Sequence, residues 1–246
     1  MDIYALIPAR YASTRFPGKP LALISGKPMI QWVYELTVQA AHVKETYVAT
    51  DDKRIRDAVL AFGGQVVMTS ADAASGSDRI AEAAESLNVD HSDLIINVQG
   101  DQPLLKVEAI DHLCAAFQEN NELQMATLAV QTRDYHVLSA PKNVKVVLDR
   151  DHFALYFSRS PIPFGRDSSD FDSYKHIGVY AYTKQFLDIF RKLPASVLEE
   201  IEKLEQLRVL EHGYKIKVIV TDFESPDVDL PGDIQHVEKL LSKRHT

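Results

Sequence analysis

The chain has 246 residues, a formal net charge of −8, and 46% hydrophobic against 25% charged residues. Such a length suits one large α/β domain, able to bury roughly 70–75% of its surface without cross-links. The acidic balance excludes a general nucleic-acid binder, which needs a basic face for phosphates, but leaves room for a local basic cleft.

The first apolar run, Ile3 to Pro8, reads as a buried parallel strand that stops at a proline unable to donate to a ladder. The loop after it carries Arg10, Arg15 and Lys19 with no acid among them, and Ser13, Thr14 and Gly18 between. Open α/β sheets bind ligands at the carboxyl end of such a strand. Three cations there, with free amides near Gly18, make an anion cradle suited to a polyphosphate. A basic surface loop is the bland alternative. Gly18-Lys19 and Gly26-Lys27 are each followed by proline, so neither is a P-loop, and no G-x-G-x-x-G occurs.

Pro28 to Ala41 is predicted helical, with Met29, Ile30, Val33, Leu36, Thr37 and Ala40 on one face. A strand at Thr46–Ala49, a helix at Lys53–Phe62 stopped by Gly63-Gly64, and a strand at Gln65–Met68 continue a βαβ rhythm, which means a parallel sheet. Ser75-Gly76-Ser77-Asp78-Arg79 opens a helix to about Leu87, its hydroxyls being good caps. The strand Asp93–Val98 runs into Gln99-Gly100-Asp101-Gln102-Pro103, placing the Asp101 carboxylate over the same sheet edge as the cradle. Triphosphate chemistry needs a divalent metal, and Mg²⁺ is held by one or two carboxylates plus phosphate oxygens, so Asp101 is a candidate ligand. Cys114 lies in the helical string L-C-A-A-F of Glu108–Phe117 and reads as a small buried hydrophobe; as the single cysteine it forms no internal disulfide, which fits a reducing cytoplasm.

Met125–Val130 is a further strand, and from about Thr132 to Pro194 the rhythm changes. Lys145–Leu148, Ala154–Phe157 and Gly178–Tyr182 predict an antiparallel excursion, residues 132–194, within a single domain of residues 1–246. Arg159 follows one of these strands and precedes two prolines, a stiff setting for a guanidinium that grips a carboxylate. Leu198–His212 reads as one long amphipathic helix with a stripe of Ile201, Leu204, Leu207 and Leu210. Lys215–Thr221 returns to strand, and Asp227-Val228-Asp229-Leu230-Pro231 leads into a last helix. The chain begins at Met1-Asp2 with no basic segment before its apolar run, and no stretch approaches the roughly 20 apolar residues of a membrane span, so a soluble, unprocessed protein is expected.

The string R-Y-A-S-T-R-F-P-G-K-P-L resembles the signature of the sugar-nucleotide cytidylyltransferases, and most closely the 3-deoxy-manno-octulosonate (Kdo) cytidylyltransferases. The likeness runs from Ile3 to Asp233 through S-G-S-D-R, N-V-Q-G-D, Y-F-S-R, H-I-G-V-Y, L-E-Q-L-R and V-D-L-P. It implies a Rossmann-like, mostly parallel sheet flanked by helices, a homodimer with contacts from the antiparallel excursion, and Mg²⁺-dependent coupling of CTP to an acidic eight-carbon sugar for lipopolysaccharide. The implied nucleotide contacts are Pro8, Ala9, Arg10, Ser13, Arg15, Lys19, Ser75, Gly76, Ser77 and Arg79. The implied sugar contacts are Gln99, Arg159, His176, Tyr180, Glu205 and Gln206. Asp101 and Asp229 are the implied metal ligands, and with Arg10 and Lys19 they carry catalysis. Ala73 and Gln102 depart from the family's usual His and Glu, and Phe164-Gly165-Arg166-Asp167 resembles a branch that acts on the 8-amino analogue of Kdo. That branch, a CMP-sialate synthetase and a non-enzymatic nucleotide sensor are the alternatives.

Overall fold

The structure is a computed structural model that describes residues 1–244 except Thr14, Ala74 and Ser169. The strands are β1 (Ile3–Ala9), β2 (Leu23–Ile24), β3 (Lys27–Pro28), β4 (Glu45–Thr50), β5 (Val66–Met68), β6 (Leu94–Asn97), β7 (Met125–Thr132), β8 (Lys145–Leu148), β9 (Ala154–Ser158), β10 (Ser173–Thr183) and β11 (Lys217–Thr221). The helices are α1 (Met29–Thr37), α2 (Lys53–Ala61), α3 (Gly76–Ser86), α4 (Val107–Glu119), α5 (Tyr135–Ser139), α6 (Lys184–Lys192), α7 (Val197–Glu202), α8 (Gln206–Glu211) and α9 (Asp233–Arg244). Among the described residues nine strands form one sheet, ordered β11-β7-β10-β6-β1-β4-β5, with β8 and β9 branching from β10; β2 and β3 form a separate hairpin.

β1 is apolar on both faces because both faces are covered. Ile3, Ala5 and Ile7 turn towards α1, α2 and α4, meeting Val33, Ile55 and Leu113. Leu6 turns the other way, towards Ile80 of α3, Phe186 of α6 and Leu207 of α8. Each such buried aliphatic contributes about 1.5–3 kcal/mol relative to exposure. The chain builds β1, β4 and β5 outward, then returns to lay β6 on the other side of β1, all in parallel. The carboxyl ends of β1 and β6 thus meet where the winding reverses, which is where doubly wound sheets hold ligands. Gly100 allows the approach: a Cβ there would sit 3.0 Å from the Pro8 carbonyl oxygen.

Two predicted features differ. The excursion over 132–194 is antiparallel as expected, in β8, β9 and β10, but it does not stay outside the core: β10 runs through the middle of the main sheet, antiparallel to both β6 and β7. Its length of 11 residues lets one end serve the outriggers and the other the core. The predicted long helix Leu198–His212 is two short ones, α7 and α8, broken at Lys203 with φ 54° and ψ 49°. Leu204 and Leu207 are buried as expected, but Ile201 is 71% exposed. The end of α7 is tied to β9 instead, because the Glu202 carboxylate accepts from Ser158 Oγ at 2.6 Å and from the Arg159 amide at 3.0 Å. A continuous helix would break that anchor, and the kink turns Glu205 and Gln206 towards the ligand edge of the sheet.

Candidate active site

Two adjoining cavities, of about 330 and 300 Å³, open over the carboxyl ends of β1 and β6. They share Gly76, Gln99, Asp101 and Glu205 as a common wall. One is lined by the cradle, Pro8, Ala9, Arg10, Ser13, Arg15 and Lys19, and by Ser75 and Arg79. Ser77, His176, Tyr180, Gln206 and Asp229 line the other. Thr14 lies outside the described residues.

The cradle is shaped by local bonds. Gly18 takes φ 71°, where a Cβ would press to 3.0 Å from the Tyr11 ring, and its amide donates to the Tyr11 carbonyl at 2.9 Å. This turn delivers Lys19 to the junction, where its ammonium donates to Asp101 Oδ2 at 2.6 Å and stands 3.8 Å from Asp229 Oδ1. Arg15 meets both Asp229 oxygens at 3.0 Å, while Arg10 is exposed and forms no ion pair with a described residue. Arg79 is the buried member, 4% exposed, bonded to Thr69 Oγ1 and 3.1 Å from Asp51 Oδ1. Ser75 caps α3 as expected, accepting from the Asp78 amide at 3.1 Å, and also lines the cavity.

The other cavity is built by β10 and the kink. Thr127 Oγ1 lies 2.9 Å from His176 Nε2 and has the Val179 carbonyl at 2.8 Å. With the hydroxyl proton directed to that carbonyl, His176 supplies the proton between the two side chains from Nε2, leaving Nδ1 as the acceptor. Burial pushes the His176 imidazole down to about 3, so it is neutral in ordinary buffers. Burial likewise raises the Glu205 carboxyl, against a hydrogen bond with Ser77 that lowers it.

Arg159 is the exception among the expected contacts, lining neither cavity. Its guanidinium donates to the carbonyls of Glu202 at 2.8 Å, Pro141 at 3.1 Å and Lys203 at 3.4 Å. It therefore clasps, from behind, the two loops whose Lys142, Asn143 and Lys203 line the cavity. Lys145 reinforces the clasp: it is 0% exposed, and its ammonium donates to Asn143 O at 2.6 Å, Ala140 O at 3.3 Å and Arg159 O at 2.5 Å.

Among the described residues no group of three or more His, Cys, Asp or Glu is arranged as a protein-only metal site. Asp101 and Asp229 with one lysine between them fit the looser arrangement of Mg²⁺, which takes one or two carboxylates and completes its shell from phosphates and water.

The sequence profile of a family described as Cytidylyltransferase matches residues 4–216. The chain belongs to that family. An 8-amino-3,8-dideoxy-manno-octulosonate cytidylyltransferase of Shewanella frigidimarina (strain NCIMB 400) is 56% identical over 98% of this chain and 99% of its own. A 3-deoxy-manno-octulosonate cytidylyltransferase 2 of Hydrogenovibrio crunogenus (strain DSM 25203 / XCL-2) is 54% identical over 100% of both chains. The solved structure of a CMP:2-keto-3-deoxy-manno-octonic acid synthetase complexed with CTP superposes with a TM-score of 0.94, at 40% identity, over 99% of this chain and 100% of that one. This member of the cytidylyltransferase family therefore has near relatives that bear the names of both sugars.

Sequence reasoning missed Lys175 and Asp227. Both line the second cavity, Lys175 with 15% of its side chain exposed. Lys175 precedes a motif histidine, and Asp227 stands two residues before Asp229 on one loop, so the family resemblance singled out their neighbours. Asp227 opens on the cavity, yet the protein mass around it, followed by the charge of Asp101, pushes its carboxyl up to about 6. Gln102 donates to Asp227 Oδ1 at 2.7 Å. The negative charge that Gln102 lacks is thus carried by the residue it touches.

Proposed function

We propose that this chain is a cytidylyltransferase that couples CTP to a Kdo-type acidic sugar, giving the CMP-sugar and pyrophosphate for lipopolysaccharide synthesis. One observation carries the reading: a cation-lined cavity and a sugar-sized polar cavity share a wall that contains Asp101. The names of the relatives support the two substrates.

The anomeric hydroxyl oxygen bonds to the α-phosphorus of CTP, its proton passes to water, and the bond from that phosphorus to the α–β bridging oxygen breaks, so that pyrophosphate leaves. Arg10, Arg15 and Lys19 face the triphosphate and offset the repulsion between two anionic reactants; the leaving pyrophosphate takes its charge into the same cradle. When CTP enters, Lys19 and Arg15 exchange their bonds to Asp101 and Asp229 for bonds to phosphate, which frees the two carboxylates. Asp101 and Asp229 would hold Mg²⁺, which when bound polarises the phosphate and acidifies the attacking hydroxyl. The sugar's own carboxylate meets Lys175, whose nearest carboxylate is Glu224 at 3.9 Å, with Lys142 at the rim. Gln99, Tyr180, Glu205, Gln206 and neutral His176 orient the sugar hydroxyls. No side-chain nucleophile is required, since the sugar supplies one.

Homodimer formation belongs to the same proposal. Among the described residues β9 pairs as a strand only with β8, and Leu155 on β9 and Ile201 on α7 are 61% and 71% exposed, apolar surface that a second copy would cover. A cytoplasmic location accords with these substrates, and no described helix is long and apolar enough to cross a membrane. Purified protein with CTP, Mg²⁺ and either Kdo or its 8-amino analogue tests the reading. Pyrophosphate release that needs both CTP and sugar is the expected result, and release with neither sugar overturns it.

A further inference from the structure

The names of the two sugars differ at one point, a hydroxyl or an amine at the eighth carbon. An ammonium carries charge and three protons to donate; a hydroxyl carries one proton and none of the charge. A site that prefers the amine must therefore present several acceptors with a negative charge, and no donors of its own left to fill them.

The second cavity has one such place. Gln102 is 3% exposed and lines the cavity. Its amide nitrogen faces Asp227 Oδ1 at 2.7 Å, which fixes the orientation of the side chain, because only the amide N–H can donate to a carboxylate. Its carbonyl oxygen is then left buried with no donor among the described residues. A buried acceptor without a donor is costly, and ligands often make it good. Beside it stands Asp227, whose carboxylate has no ion-pair partner among the described residues. Lys175 on the same cavity wall acts on Asp227 through its charge without forming an ion pair with it, and lies 3.9 Å from Glu224. Asp101, Glu205 and Asp229 line the same cavity, but Glu205 bonds Ser77, and the two aspartates are the carboxylates that the reading above gives to the metal. The pair of Asp227 and Gln102 thus combines a negative charge with an unfilled acceptor.

The position is compatible with the reacting end. In the pyranose form of an eight-carbon ulosonic acid, the two-carbon tail is attached next to the ring oxygen, whose other neighbour is the anomeric carbon. The tail and the anomeric carbon therefore leave from the same edge of the ring, either side of its oxygen. Asp227 lies one residue from Val228, whose amide donates to the Asp101 carbonyl at 2.9 Å, so it borders the junction where the anomeric hydroxyl reacts.

We propose that Asp227, with the Gln102 carbonyl beside it, is the specificity determinant that binds the terminal ammonium of an 8-amino sugar, making the amino sugar the preferred substrate. This rests on the cytidylyltransferase reading above. The ammonium donates one proton to Asp227 and one to Gln102 Oε1, and neither acceptor changes its existing bond to the other residue.

The test measures pyrophosphate release with CTP and Mg²⁺ for Kdo and 8-amino-Kdo in the unmodified enzyme, Asp227→Asn and Asp227→Glu. Asparagine keeps the shape and an acceptor for Gln102 but removes the charge. The unmodified enzyme should favour the amino sugar, and Asp227→Asn should reduce the ratio of the two kcat/KM values about ten- to a hundred-fold. Asp227→Glu should recover part of it. A ratio that stays within about twofold while both rates fall together overturns the inference and leaves the cytidylyltransferase reading standing. So does an equal rise, with both sugars, in the Mg²⁺ concentration needed for half-maximal rate, which would make Asp227 a metal ligand. An unmodified enzyme that favours Kdo overturns it as well. An unmodified enzyme that releases pyrophosphate with neither sugar overturns the cytidylyltransferase reading, and this inference with it.

Discussion

Replacing Arg159 separates a wall-holding side chain from a substrate ligand. In the structure its guanidinium makes two short bonds, to Glu202 O at 2.8 Å and Pro141 O at 3.1 Å, and a longer one to Lys203 O at 3.4 Å. Methionine at this position keeps the length of the chain and removes every donor. Hydrogen bonds from a charged donor contribute about 1.5–3 kcal/mol each when shielded; with the outer two bonds open to water, Arg159→Met should cost about 2 kcal/mol in all. For a chain of this size that lowers Tm by roughly 4–8 °C, read by calorimetry without any ligand. The loosened loops carry Lys142, Lys203 and, just beyond, Glu205, so KM for the sugar should rise about tenfold while KM for CTP stays within about twofold. The opposite pattern, Tm unchanged within about 1 °C and sugar KM raised more than about a hundredfold, would refute the reasoning. It would mean that the guanidinium leaves the carbonyls and grips the substrate carboxylate itself.

Three further predictions follow from buried groups. Lys145→Met should cost about 3 kcal/mol in a denaturant titration, because three carbonyls lose a fully buried ammonium; a loss under about 1 kcal/mol would show that the cage relaxes freely. His176, at about 3 in the folded chain against about 6.5 unfolded, should show no imidazole titration by NMR between about pH 5 and 8. Its folded value is depressed, so its contribution to stability is present above about pH 6.5 and is lost as pH falls towards 3, and His176→Asn should flatten that acid limb. Cys114 is 0% exposed and burial pushes its thiol up to about 12, so a thiol reagent should leave the native protein unlabelled and react once on unfolding; rapid native labelling would contradict the packing of α4.

The ligand edge was legible where sequence signals are local. The apolar run of β1 and the cations after it, with no acid among them, are both written within twenty residues, although the strand continues through the predicted stop at Pro8 and pairs as far as Ala9, because in a parallel ladder Pro8 needs only to accept there. Asp101 follows a buried strand directly and is read the same way. What escaped depends on distant partners. α7 and α8 share one helical period, and only the bonds of Glu202 to Ser158 and Arg159, more than forty residues away, explain the break at Lys203. The place of β10 between β6 and β7 is a matter of pairing, which its own alternating pattern does not specify. Arg159 has the chemistry of a carboxylate ligand, and only the three carbonyls around it show where its donors go. Asp227 gains meaning from Gln102, a contact between residues 125 positions apart.

Asp101 lies in the wall shared by the two cavities, and its proposed role is in the transfer rather than in the fold. Pyrophosphate release by Asp101→Asn at saturating CTP, Mg²⁺ and sugar, beside a melting curve of the same preparation, tests it most directly. Turnover should fall by at least about a thousandfold, with Tm held within about 2 °C of the unmodified protein. Turnover within about tenfold of the unmodified enzyme, with the fold equally intact, would contradict it.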